Sequence, residues 1–114
     1  MLDISQATEY DSLSAEELKL SCSACKKCEL HAERKQAVFG VGPMPCPLMI
    51  IGEAPGANED EQGIPFVGRA GKLLTKILES VGIDRTHQVY IANTVKCRPP
   101  ENRTPHPTEI EACK

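Results

Sequence analysis

The sequence predicts an α/β fold with a central parallel sheet, and three segments support this prediction. Residues 48–51 are a short apolar run and residues 88–92 a largely apolar one, as is typical of strands. The apolar residues of 73–81 recur at helical spacing. Strand, helix and strand in this order form a βαβ unit with parallel strands and a right-handed crossover. Because two strands and one helix leave faces and edges of such a sheet uncovered, we expect these 114 residues to hold an incomplete sheet.

The N-terminal residues predict an extension with one short helix. Ser14 and Glu17 have the spacing of a capping box, in which each side chain accepts a hydrogen bond from the other residue's backbone N–H. Residues 40–47 are rich in glycine and proline, which predicts a connector. We therefore divide the chain into an extension, 1–24, and a partial α/β domain, 25–114.

The first strand and the segment after it follow from their composition. Residues 48–51 are apolar throughout, as expected for a strand buried on both faces. The loop 52–67 has sixteen residues, a length that usually has a function. The helix after it ends at Gly82, which stands where a C′ glycine is expected. Its apolar face comprises Leu73, Leu74, Ile77, Leu78 and Val81.

The second strand completes a candidate site. Glu53 follows the first strand and Asn93 follows the second. The carboxyl ends of parallel strands meet at one edge, where open α/β sheets bind ligands. We therefore expect these two side chains to lie near each other. Further along, the spacing of Thr108 and Glu111 predicts another capping box and a last helix.

Composition and charge exclude several classes of protein. The hydrophobic set is 40% and charged residues are 25%, as in an ordinary globular domain. No apolar run reaches the ~18 residues of a membrane helix, and no secretory signal begins the chain, so we expect a cytoplasmic monomer without a membrane segment. The net charge of −3 means that any DNA binding must rest on a local patch, for which Lys96, Arg98 and Arg103 are the best candidates.

Six cysteines in such a chain indicate metal or redox chemistry rather than disulfides. Any two of Cys22, Cys25 and Cys28 have suitable spacing for a chelating pair. Four thiolates suit either tetrahedral zinc or a cubane iron–sulfur cluster. The wide spacing of Cys97 and Cys113 leans toward iron–sulfur but leaves both metals open.

The loop 52–67 has two interpretations from its residues alone. It is not a phosphate-binding P-loop, because Phe66 stands where a glycine is required and Leu73 follows the lysine in place of Ser or Thr. The loop is therefore either a solvated acidic segment or a ligand site. Phe66 likewise suits either a core position or a stacking platform for a flat ligand.

Five segments carry motifs far more specific than one pair of cysteines. They are Cys25-x2-Cys28-x-Leu30-x3-Arg34, Gly52-Glu-Ala-Pro-Gly-x2-Glu-Asp60, Gly63-x-Pro-Phe-Val-Gly-x-Ala-Gly71, Asn93-x2-Lys-Cys-Arg-Pro-Pro-x-Asn-Arg103 and Pro105-x-Pro-x-Glu-Ile-x2-Cys113. In this order they resemble the family-4 uracil-DNA glycosylases, bacterial and archaeal enzymes with a 4Fe–4S cluster. The resemblance implies a three-layer α/β/α fold, of which this chain holds the first half, and excision of uracil from DNA in base-excision repair.

The resemblance also implies which cysteines bind the cluster. The family's ligands match Cys25, Cys28, Cys97 and Cys113. Cys25 and Cys28 are chosen over Cys22 because Leu30 and Arg34 follow Cys28 at the spacing found in the family. Cys22 and Cys46 are then extra. The implied cluster is structural and holds the loop with Arg98 and Arg103 so that both can meet DNA phosphates.

Roles for the other site residues follow from the same resemblance. Phe66 would stack on the flipped uracil, and Asn93 would hydrogen-bond its O4 and N3–H edge. Glu53 would orient the attacking water or stabilise the sugar cation. Glu59 would lie near the pyrimidine C5 and help to exclude thymine.

One family motif has no counterpart here. The family's late His-Pro-Ser motif is not matched by His106, which precedes the fourth cysteine and so occupies a different place. We expect the 114-residue chain alone to be weak or inactive, because its sheet and pocket are incomplete. The alternative is a non-catalytic iron–sulfur or zinc module that binds nucleic acid or a polymerase, and such a module would not need Glu53, Phe66 and Asn93 together.

Overall fold

Two parallel strands form the sheet of the computed structural model, which describes residues 13–113. β1 (Leu48–Gly52) pairs along its whole length with β2 (Val89–Asn93), from Leu48 opposite Val89 to Gly52 opposite Asn93. The α/β class and the parallel pairing are thereby confirmed. The helices are α1 (Ala15–Ser23), α2 (Ala57–Gln62), α3 (Arg69–Ser80), α4 (Arg85–Gln88) and α5 (Pro107–Cys113), with 3₁₀ turns at Glu29–Ala32 and Pro100–Asn102.

The two strands differ in burial. Every residue of β2 is buried, since β1 lies on one edge and Val41 forms an antiparallel bridge to Ile91 on the other. β1 is largely open, with Met49 52% and Ile51 61% exposed. The prediction that 48–51 is buried on both faces is therefore wrong for the described residues, because the core under the sheet forms on β2.

The helix α3 has the predicted ends and a partly covered face. Leu78 packs on Val89 and Ile91 of β2 in one core cluster, whereas Leu73 and Ile77 remain exposed. At the C-terminus, the Gly82 N–H donates to the Glu79 carbonyl (3.0 Å) and the Ile83 N–H donates to the Leu78 carbonyl (2.9 Å). These bonds form a Schellman motif, and the φ of +77° at Gly82 confirms the predicted C′ glycine.

The capping box of α1 is confirmed and that of α5 is displaced. The Glu17 N–H donates to the Ser14 hydroxyl and the Ser14 N–H to the Glu17 carboxylate, both at 3.2 Å. The last helix begins at Pro107, so Thr108 lies inside its first turn. There the Glu109 carboxylate accepts the His106 N–H at 2.7 Å and takes the place of the predicted cap.

The segment 52–67 is not a continuous loop, because it contains α2. Glu59 stabilises the start of this helix by accepting the Gly56 N–H at 3.0 Å. None of the helices in the described residues is both long and apolar enough to cross a membrane.

Candidate active site and cysteine cavity

A cavity of about 260 Å³ opens at the carboxyl edge of the sheet. Glu53, Glu59, Phe66 and Asn93 all line this rim cavity, so the structure brings together the four side chains predicted from sequence. They come from three separate segments: the end of β1, the 56–66 segment and the end of β2. Glu53 and Asn93 therefore lie near each other, as the strand ends predicted.

Backbone hydrogen bonds beyond the strand ends fix the position of Glu53. The Val95 N–H donates to the Glu53 carbonyl at 3.1 Å, and the Thr94 N–H donates to the Gly52 carbonyl at 2.9 Å. The ladder therefore continues past the two strands. Glu53 is exposed and belongs to the lining of the rim cavity.

Asn93 and Phe66 meet over Gly52. Asn93 is only 4% exposed. A Cβ on Gly52 would lie 2.5 Å from both the Asn93 Oδ1 and the Phe66 Cζ. The ring and the amide therefore occupy the space of the missing side chain, and glycine is required there.

Glu59 is bound to the backbone around Phe66. Its Oε2 accepts the N–H groups of Val67 (2.9 Å) and Gly68 (2.7 Å), while its Oε1 accepts from Gly56. Burial alone would raise the pKa of Glu59, but these backbone hydrogen bonds outweigh it and lower the pKa. The carboxylate is thus held ionised by the loop that carries the ring.

A second cavity, of about 230 Å³, is lined by cysteines. Cys25, Cys28, Cys97 and Cys113 all line it, together with Cys22, which the motif match had left as an extra. The described residues that line it do not include Cys46. The structure therefore brings the four predicted ligands together and adds a fifth thiol.

Two of these sulfurs accept hydrogen bonds, one from a guanidinium and one from a backbone N–H. The Arg34 Nη1 donates to the Cys97 Sγ at 2.9 Å, and the Lys96 backbone N–H donates to the Cys113 Sγ at 3.3 Å. Burial raises the pKa of Cys97 and of Cys113, and it raises that of Cys22 to about 11. Within residues 13–113, no three His, Cys, Asp or Glu side chains are gathered tightly enough for one metal ion. The thiols are instead distributed around the cavity.

Comparison with known proteins identifies the family. The model of the uracil DNA glycosylase superfamily matches residues 39–114. The chain belongs to this superfamily. It is similar to the type-4 uracil-DNA glycosylase of Pyrobaculum aerophilum, with 60% identity over 89 residues, which cover 78% of the chain and 45% of that protein.

Two further relatives of the superfamily carry the same name. The type-4 uracil-DNA glycosylase of Archaeoglobus fulgidus is 48% identical over 100 residues, covering 88% of the chain and 50% of that protein. That of Thermotoga maritima is 53% identical over 89 residues, covering 78% and 46%. The chain spans about half the length of the curated relatives it matches. The family resemblance seen in the motifs is confirmed.

The basic patch predicted from Lys96, Arg98 and Arg103 does not form as predicted, because Lys96 does not take part in it. The Lys96 ammonium points inward and donates to the carbonyls of Asn93 (2.9 Å) and Phe39 (3.0 Å), so its assignment to a DNA-facing patch is wrong. Arg103 forms two 2.8 Å bonds with the Glu109 carboxylate. The half-buried Arg98 donates through Nε to Asn102 at 2.7 Å.

Two residues near the rim cavity were not predicted as site residues. Asn102 lines the cavity from the 3₁₀ turn, although it stands within a matched motif that could have revealed it. Arg85 donates to the Pro65 carbonyl, next to Phe66, at 2.6 Å. No spacing or composition signal identifies Arg85, because its partners are ten to twenty residues away in sequence.

The ion pair between Arg103 and Glu109 predicts that the stability of the fold depends on pH. Glu109 is 4% exposed, and its hydrogen bonds to Arg103 lower its pKa from 4.5 to about 2. Since the folded-state pKa is depressed, the ion pair stabilises the fold above pH 4.5 and this contribution is lost as pH falls toward 2. Urea unfolding should show Glu109→Gln destabilised at pH 7, with the difference from wild type shrinking across that range. A difference independent of pH would contradict this assignment.

Proposed function

We propose that this chain carries the base-binding site of a uracil-DNA glycosylase. The parent activity is hydrolysis of the N-glycosidic bond of uracil in DNA, leaving an abasic site in base-excision repair. The observation that supports it best is that Glu53, Phe66 and Asn93 line one cavity at the carboxyl edge of the sheet. We propose a cytoplasmic monomer whose partner is uracil-containing DNA.

The proposed chemistry uses each of these side chains. The base leaves the stack and enters the rim cavity, where Phe66 stacks on its ring. The Asn93 amide accepts the uracil N3–H and donates to O4, whereas cytosine presents an acceptor and a donor in the opposite order. This pairing selects uracil over cytosine.

Hydrolysis then exchanges one bond for another. The bond between the sugar C1′ and the uracil N1 breaks, and its electron pair leaves with the base. A water oxygen bonds to C1′, and the proton that the water loses neutralises the uracil anion. Glu53 orients this water or stabilises the cationic sugar, and this role is supported by its being an exposed residue of the cavity lining.

Glu59 and the arginines have supporting roles in the proposal. Glu59 lines the cavity beside the pyrimidine C5 and helps to exclude thymine, while its hydrogen bonds hold the loop. Arg98 and Arg103 contact DNA phosphates. Since Glu109 already neutralises Arg103, Arg98 should contribute the larger share of this contact.

We further propose that Cys25, Cys28, Cys97 and Cys113 hold a 4Fe–4S cluster. The chemistry of the donor set supports a cluster of several irons rather than a single ion, because four soft thiols are spread around one cavity and the Arg34 guanidinium and Lys96 N–H offset thiolate charge. When bound, such a cluster would join residues 25–28, which follow α1, to the 97–113 segment as a structural cross-link. Its role is to hold the loop, and the residues of the rim cavity perform the chemistry.

The cluster proposal predicts a metal content. Protein purified without oxygen should contain about four irons and absorb broadly, as expected for a cubane with four cysteine ligands. Cys97→Ser should lose most of the iron, and Cys46→Ser, as the matched control outside the cavity, should keep it. Stoichiometric zinc without iron in the wild type would contradict the cluster.

The activity should be tested in a chimera as well as in the chain alone. In the chimera, this chain replaces the matching segment of the Pyrobaculum aerophilum relative. A labelled duplex with U, T or C at one position is incubated and then cleaved with alkali. The proposal predicts cleavage only at U. A folded, cluster-loaded chimera that leaves U intact would instead favour the non-catalytic module.

A further inference from the structure

We propose that Arg85 is a positioning residue of the rim cavity, which fixes the Phe66 ring before the base arrives. This inference rests on the proposed function, since Phe66 is the stacking group there. Arg85 is not among the described residues that line the rim cavity, so it acts through the turn that carries the ring.

Arg85 joins the start of that turn, residues 65–68, to α3. Its Nη2 donates to the Pro65 carbonyl at 2.6 Å, immediately before Phe66. Its Nη1 donates to the Gly71 carbonyl at 3.2 Å and to the Thr75 hydroxyl at 3.0 Å in α3. One planar guanidinium therefore ties the start of the turn to the helix that follows it.

Glu59 binds the middle of the same turn from the other direction. It accepts hydrogen bonds from the N–H groups of Val67 and Gly68. The Arg85 guanidinium thus binds a backbone carbonyl of the turn, and the Glu59 carboxylate binds backbone N–H groups of the turn. The charge of Glu59 also acts on Arg85, whose pKa is lowered by burial and raised in part by this carboxylate. The two side chains hold opposite sides of the residue that carries the ring.

The turn needs such support because its backbone is strained. Phe66 has a φ of +55°, in the left-handed region that residues with a bulky side chain seldom adopt. A Cβ on Gly71 would overlap the Phe66 carbonyl, so the turn is also pressed against α3. Strain of this kind persists only where surrounding bonds determine the conformation.

Phe66 packs against the core cluster between α3 and β2, but this packing does not enclose it. Phe66 lines the rim cavity and also a rear cavity of about 350 Å³, which Thr75 and Arg85 line as well. Described side chains thus leave space on that second side, into which a released ring can turn. The bonds from Arg85 and Glu59 to the turn therefore add to this packing and keep the ring next to Asn93.

The test measures free uracil binding to the cluster-loaded chain. Arg85→Gln should weaken the affinity about tenfold, because a displaced binding group loses much of its contribution. Arg85→Lys, which keeps the charge and one donor, should recover part of it. Lys76→Gln, which removes an exposed cation from α3, is the matched control and should bind as wild type does.

A double-mutant cycle with Phe66→Leu separates positioning from general destabilisation. If Arg85 acts through the ring, Arg85→Gln should cost little further affinity once the ring is gone. Equal losses with and without the ring would overturn the inference.

A second readout does not depend on uracil. In the wild type, NMR should show through-space contacts between the Phe66 ring and the Asn93 side-chain amide, which approach over Gly52. Arg85→Gln should lose these contacts while its other amide signals remain dispersed, and their retention would overturn the inference. Failure of the wild type to bind uracil, with the contacts present and sensitive to Arg85, would instead count against the proposed function alone.

Discussion

Replacing Glu53 by glutamine should nearly abolish uracil release while leaving uracil binding intact. The substitution keeps the size of the side chain and removes its charge. Glu53 lines the same cavity as Phe66 and Asn93, and in the proposed function it acts on water or on the sugar while the other two hold the base. A positioned carboxylate of this kind contributes about 10²–10⁴-fold to rate, and we expect a loss of that order in kcat.

Single-turnover excision by the chimera measures this loss. Glu61→Gln provides a matched control, since the exposed Glu61 pairs with Lys35 and is not among the described residues of the rim cavity. An unchanged rate for Glu53→Gln would remove Glu53 from the mechanism. A loss confined to KM would show that it binds the substrate and does not act in the chemical step.

Replacing Gly71 by alanine should have the largest effect on the fold. Gly71 is buried in the first turns of α3, and a Cβ there would overlap the backbone carbonyl of Phe66. Because the clash is with backbone, no side-chain rotation relieves it, and either the helix or the turn must move. We expect the free energy of unfolding to fall by about 4 kcal/mol, a loss typical of severe steric clashes, and uracil binding to be lost.

Urea unfolding tests this prediction, and Gly82 supplies the control. Gly82 ends the same helix with a φ of +77°, and a Cβ there would meet open space among the described residues. Gly82→Asn should therefore cost at most about 1 kcal/mol, because asparagine tolerates the left-handed conformation. Similar losses for the two variants would contradict the assigned clash.

Features set by local rules or by the βαβ topology were predictable from sequence. Glu53 and Asn93 could be placed together because parallel strands bring their carboxyl ends to one edge. The capping box at Ser14 and the C′ glycine at Gly82 depend only on neighbouring residues. Phe66 was identified by the motif around it, because an aromatic residue type alone is equally consistent with a core position.

Features set by distant contacts were not predictable in this way. The open faces of β1 depend on which elements cover the sheet, which an apolar run cannot show. Lys96 turns inward because two backbone carbonyls lie within reach, and Arg85 reaches a turn twenty residues away. The ionised state of Glu59 similarly depends on the backbone N–H groups of Val67 and Gly68, which follow α2 in the chain.

The measurement that tests the central claim most directly is the location of bound uracil on the cluster-loaded chain. NMR with free uracil should show through-space contacts from the uracil H5 and H6 protons to the Phe66 ring, and a shifted Asn93 side-chain amide. Cytosine should produce neither at the same concentration. Uracil that binds without affecting Phe66 and Asn93, or cytosine that binds equally well, would contradict the account of the rim cavity as the uracil site.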